Sequence, residues 1–166
     1  MNKRIKTMCF SAVFMALTFV ITRFIQIPIP LGYFNIGNTV ILLGCCFVPL
    51  PFGIAIGGLG SALADLTSYP EYTVPTLIIK SIMPLLFYLF IKIPIKKDFV
   101  KRLVAFAIAT LIPLFGYTLT GCILYGSFVA GIAQFPGLLL EYAANLVFFA
   151  VTYGALGKAL RKVLKD

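Results

Sequence analysis

Few side chains in this sequence can do chemistry, and most of them lie inside long apolar runs. Lys80 interrupts "PTLIIKSIMPLLFYLF", Glu141 and Asn145 interrupt "FPGLLLEYAANLVFF", Asp65 closes "GGLGSALADL", and Asn35 and Asn38 punctuate "GYFNIGNTVILLG". One amine, two carboxyls and three amides can hold a polar solute through hydrogen bonds and charge, or pass a proton. Nucleophilic and metal chemistry find far less support. There is no His, and Cys9, Cys45, Cys46 and Cys122 sit in apolar segments without metal-ligand spacing; no paired-carboxylate or nucleophile motif has catalytic spacing. "GALGKAL" is no phosphate loop, because Thr152 stands where the first Gly is needed and Ala159 follows Lys158. We expect no catalytic residue, no metal and no cofactor, with the cysteines acting as small buried hydrophobes.

The elements that carry the polar groups must be membrane helices. Of 166 residues, 61% are hydrophobic and 11% charged, more apolar surface than a soluble domain of this size can bury. Cutting the chain at charges, prolines and glycines gives six helices at about 5–26, 36–48, 52–68, 74–91, 101–125 and 135–161, each compared with the roughly 20 residues a crossing needs. The second is short. This predicts an all-α polytopic membrane protein, a compact six-helix bundle in which residues 1–166 form a single transmembrane substrate-binding domain. The basic start of the first helix is not a signal peptide, since no cleavage site precedes a polar mature domain.

Basic residues orient the bundle. Lys3, Arg4 and Lys6 precede the first helix, Lys92, Lys96, Lys97, Lys101 and Arg102 lie between the fourth and fifth, and Lys158, Arg161, Lys162 and Lys165 end the chain. With six crossings these clusters share one side, which puts both termini in the cytoplasm. The net charge of +9 is thus a set of collars at helix ends, without the basic groove and interleaved aromatics that a nucleic acid would need.

The polar groups left after the collars are Arg23, Asn35, Asn38, Asp65, Glu71, Lys80, Glu141 and Asn145, and most fall toward the outer end. Gly53, Gly57, Ser61 and Asp65 recur every fourth residue, a small-residue face that lets helix backbones approach and delivers Asp65 to the interior edge. The alternative is that Asp65 ends its helix in solvent. Lys80 fits a ligand contact or an ion pair with Asp65 or Glu141. Asn35 and Asn38 fit helix caps or ligand contacts. Tyr33, Tyr69, Tyr72 and Tyr142 fit an interfacial aromatic belt or a stacking platform for a planar solute.

The stretches "SAVFMALTFV", "GYFNIGNTVILLG", "GGLGSALADL", "PTLIIKS" and "FPGLLLEYAANL", in this order over nearly the whole chain, resemble the S components of energy-coupling factor (ECF) vitamin transporters. Within these, the chain is similar to the riboflavin-transporter-like group that includes hydroxymethylpyrimidine and pyridoxine members. The resemblance implies a subunit that captures a small vitamin or precursor from outside and delivers it by toppling on a transmembrane coupling subunit driven by two ATP-binding subunits. It implies partner docking through an Ala-x-x-x-Ala motif in the first helix, here Ala12 and Ala16, whose bland reading is packing within the bundle. It carries Asn35, Asn38, Lys80, Glu141 and Asn145 over as substrate contacts, and less directly Asp65, Tyr69 and Tyr142.

Two departures bear on the cargo. The chain has no Trp, on which thiamin-binding members stack their ligand, and Glu141 stands where the resemblance leads us to expect an amide. A lysine with a carboxylate suits a small hydroxylated heteroaromatic such as pyridoxine or hydroxymethylpyrimidine better than a flavin. The rival is a stand-alone proton-coupled secondary transporter using Glu141 or Asp65. Repeated halves and broken midplane helices, the marks of such carriers, are not evident in the sequence.

Overall fold

The computed structural model describes residues 3–30 and 32–165, with side chains for 4–30 and 32–156. The side chains of Lys3, Lys158, Arg161, Lys162 and Lys165, part of the expected basic collars, lie outside the described residues. Helix α1 (Lys3–Phe24) leads into an antiparallel hairpin of β1 (Ile27–Ile29) and β2 (Gly32–Phe34), with Ile27 opposite Phe34. Then come α2 (Gly37–Cys45), α3 (Leu50–Ser68), a 3₁₀ turn (Pro70–Tyr72), α4 (Thr73–Phe90), α5 (Asp98–Ala109), α6 (Leu111–Leu124) and α7 (Phe128–Lys165). Among the described residues five helical stretches are long and apolar enough to cross a membrane: Arg4–Phe24, Leu50–Ser68, Pro70–Phe90, Asp98–Leu124 and Phe128–Leu156.

Several elements differ from their sequence expectation for identifiable reasons. The hairpin was not expected in an all-α chain; its "IPIP" half has no helix-compatible run of backbone donors, and each strand is three residues long. Helix α2 has nine residues, about 14 Å of rise, so it cannot span the hydrocarbon alone. The expected fifth helix breaks at Thr110 into α5 and α6, because Pro113 cannot donate to the carbonyl of Ala109. The expected sixth helix instead starts at Phe128 and runs through Pro136. Helix α3 begins two residues early, with Pro51 in its first turn, where a missing N–H costs nothing.

The small face of α3 sets the packing. A Cβ added to Gly57 would collide with the backbone carbonyl of Lys80, and one on Gly60 would come within 3.0 Å of the carbonyl of Met15. Helix α3 is therefore pressed between α1 and α4, and this contact fixes where Lys80 starts from. At the other end of the bundle an apolar core forms around Ile41, Leu42, Ile56, Met83 and Phe87. There Phe106 stacks on Phe149 with ring centroids 4.3 Å apart, and Phe149 on Tyr153 at 5.7 Å.

The same end gathers the described part of the basic collar. Asp98 accepts from Tyr153 at 2.8 Å and from Arg102 at 3.2 Å, while Arg102 donates to the carbonyl of Cys46 at 3.5 Å. Tyr88, near the end of α4, donates to the carbonyl of Val48. The turn between α2 and α3 thus meets the end of α4, the start of α5 and α7 near Tyr153.

Candidate functional site

At the opposite end the helices diverge around a cleft of about 460 Å³, counted out to its mouth. Helix α1 contributes Thr22; the hairpin contributes Ile29, Gly32 and Tyr33, followed by Asn35; and α3 contributes Ser61 and Asp65. Tyr69 and Tyr72 come from the turn after α3, Thr76 and Lys80 from α4, Tyr117 from α6, and Gln134, Leu138 and Glu141 from α7.

Its polar groups are buried and mostly matched. Lys80 is 3% exposed and Glu141 4%. Lys80 Nζ donates to Asn38 Oδ1, and Asn38 Nδ2 donates to Glu141 Oε1 at 3.0 Å. An amide with its carbonyl toward the amine and its NH₂ toward the carboxyl is the orientation that serves both neighbours. The direct ion pair of Lys80 with Asp65 or Glu141 that the sequence allowed is replaced by this relay. An ion pair does form between Arg102 and Asp98, at the far end. The Nζ of Lys80 also lies 5.3 Å from the centre of the Tyr117 ring, within cation–π reach.

Asp65 faces the interior, not solvent. It is 2% exposed and accepts from Tyr33 and Thr76, and the Thr76 hydroxyl is 3.0 Å from that of Tyr117. Burial first, and the nearby Asp65 second, push the Tyr33 phenol above its ordinary value. Tyr33 therefore keeps its proton through neutral and alkaline pH and remains a donor to Asp65. Its ring lies 5.1 Å from that of Tyr69 at 34°, so the hairpin and the turn after α3 meet over the mouth of the cleft.

The other sequence candidates separate. Asn38 stands behind Lys80 and Glu141, lining a smaller space of about 190 Å³ together with Tyr142. Asn145 lines neither space and is fully buried. It donates to the carbonyls of Asn35 at 2.8 Å and Glu141 at 2.9 Å, and accepts from the Thr39 amide at 2.9 Å. Asn35 lines the cleft and accepts from the Gly37 amide at 2.6 Å just before α2, whose cap position is Ile36. Thr76, Tyr117 and Gln134 were not singled out in the sequence. Thr76 could have been, since it lies one helical turn before Lys80 on the same face.

Residues 2–162 match the model of a family described as "ECF-type riboflavin transporter, S component". Over 146 residues, 86% of this chain and 93% of the relative, the sequence is 32% identical to an uncharacterized protein in the gap 3' region of Pyrococcus woesei. A solved structure described as "Structure and mechanism of the S component of a bacterial ECF transporter" superposes with a TM-score of 0.72, over 95% of this chain and 98% of that one. At 18% identity, that likeness speaks for the fold.

Proposed function

We propose, from the premise that this chain belongs to the family of ECF-type riboflavin transporter S components, that its cargo is a single-ring hydroxylated azine. Pyridoxine or hydroxymethylpyrimidine fits best. Family membership makes the chain a membrane-embedded, vitamin-binding transport subunit associated with other ECF components, in a family of transport subunits and not of enzymes. The finer reading is carried by one observation: an amine and two carboxyls, Lys80, Asp65 and Glu141, converge on one buried cleft in an otherwise apolar bundle. Such groups are costly inside a membrane and repay that cost when they bind a polar solute.

In this reading Lys80 donates to a ring hydroxyl, Glu141 shares a proton with a ring nitrogen, and Tyr33 with Tyr69 close over the ring face. Asn35, Asp65 and Thr76 complete the wall, while Asn38 orients Lys80 and Glu141 from behind. Riboflavin, the solute in the family's description, has three fused rings. The polar groups that several elements send across the cleft support the smaller ring.

The same reading makes residues 1–166 one substrate-binding domain with both termini cytoplasmic. It is supported by the way α2, though short, carries the chain from the cleft end at Asn38 to the basic end at Cys46. Ala12 and Ala16 are exposed on the outer side of α1, which supports their use in docking the coupling subunit with its two ATP-binding subunits.

Mass spectrometry tests the cargo reading. The protein is purified from cells grown in rich medium and denatured, and the released small molecule is identified; calorimetry then measures binding of pyridoxine, hydroxymethylpyrimidine, thiamin and riboflavin. One equivalent of a single-ring azine is expected. Riboflavin or thiamin as the bound species would overturn the cargo assignment, and an empty protein that binds none of the four would overturn the site.

A further inference from the structure

Two hydroxyls on the cleft wall have no hydrogen-bond partner among the described residues: Ser61 Oγ on α3 and Thr22 Oγ1 on α1. Their side chains are 0% and 2% exposed. Hydroxyls elsewhere in the bundle bond back to the carbonyl one turn earlier, as Ser11, Thr18, Thr110, Thr118 and Thr120 do at 2.7 to 2.8 Å. Leaving a buried hydroxyl unmatched is costly. The neighbouring polar groups do not relieve it. Asn35 Oδ1 accepts from the Gly37 amide, and Asp65 accepts from Tyr33 and Thr76.

We propose that Ser61 and Thr22 form a subsite for a hydroxymethyl arm of the cargo. It lies on the α1–α3 wall, apart from the α4–α7 wall that carries Lys80 and Glu141. The subsite rests on the cargo reading above and adds which part of the cargo these helices recognise. A neutral hydroxyl suits a wall carrying two unmatched hydroxyls because it can donate and accept at once. A methyl in its place leaves both protein hydroxyls unmatched, the situation in which sites discriminate most strongly.

The probes are pyridoxine and its two monodeoxy analogues, in each of which one hydroxymethyl arm is a methyl. Calorimetry compares the wild-type protein with Ser61→Ala and Thr22→Val. The wild type is expected to bind one of the two analogues roughly tenfold more weakly than pyridoxine, and both variants to close most of that gap. The cargo-free variants are expected to melt no lower than the wild type, since each loses an unpartnered hydroxyl. A wild type that discriminates against neither analogue, a gap unchanged in both variants, or a lowered melting temperature in both would overturn the subsite alone. A wild type that binds hydroxymethylpyrimidine and its methyl analogue equally would likewise overturn the subsite, and one that binds neither these compounds nor the three pyridoxine probes would overturn the azine cargo and the subsite together.

Discussion

Lys80 has three donors, of which Asn38 takes one while the Tyr117 ring lies beside the ammonium. The rest are available to a solute in the cleft, so Lys80→Met is expected to weaken cargo binding roughly 10- to 100-fold, the range for a charged hydrogen bond. Glu141→Leu is expected to do the same, with a normal helical spectrum in both; unchanged calorimetric affinity in both variants would refute the site. Asn145 belongs to a different class. It joins α7 to the start of α2 through Thr39 and the carbonyl of Asn35. Asn145→Leu is therefore expected to lower the melting temperature, through a loss of about 1–3 kcal/mol for each buried partner left unmatched. If it melts like the wild type, the amide is not a structural clasp. The sequence separates neither role, because an Asn in an apolar run looks the same whether it faces a solute or a neighbouring backbone. Lys80, Asp65 and Glu141 were legible because charge inside such a run is costly and rare.

The elements were legible where periodicity and charge agreed, and were missed where proline chemistry decided. Gln134 lines the cleft, yet it fell outside the expected last helix, because Pro136 reads as a start signal while α7 runs through it. A long membrane helix tolerates such a proline when its neighbours satisfy the freed carbonyl. Tyr117 and Thr76 were overlooked for another reason: both types are ordinary in membrane helices, and only the packing of α4 against α6 makes them neighbours. The small face of α3, by contrast, could be read directly, and its consequence is steric. Gly57→Ala places a methyl against the backbone of α4 at Lys80, which cannot rotate away. It is expected to cost about 1–3 kcal/mol by overpacking and to weaken cargo binding by moving Lys80. Gly154→Ala is the control, since its nearest neighbour is a Phe99 ring atom at 3.7 Å. Equal melting temperatures for the two variants in detergent would show that α3 and α4 are not wedged at Gly57.

Across the whole molecule the two faces of α1 serve different partners. Ser11, Phe14, Thr18 and Thr22 are buried on its inner side, the last of them on the cleft, while Ala12, Val13, Ala16 and Leu17 are exposed on the other. An exposed apolar side chain is unremarkable against lipid, so exposure alone does not identify a docking face. Two alanines one turn apart on that face do leave a shallow groove in which a partner helix can approach closely. Leu substituted at Ala12 and Ala16 fills the groove without touching the cleft. The doubly substituted protein is therefore expected to bind its cargo with wild-type affinity and to melt as the wild type does. In proteoliposomes containing the coupling subunit and ATPases, it should lose ATP-driven uptake. Uptake that survives would remove α1 from the docking surface, whereas a loss of cargo binding would show that the outer face of α1 supports the cleft rather than the assembly.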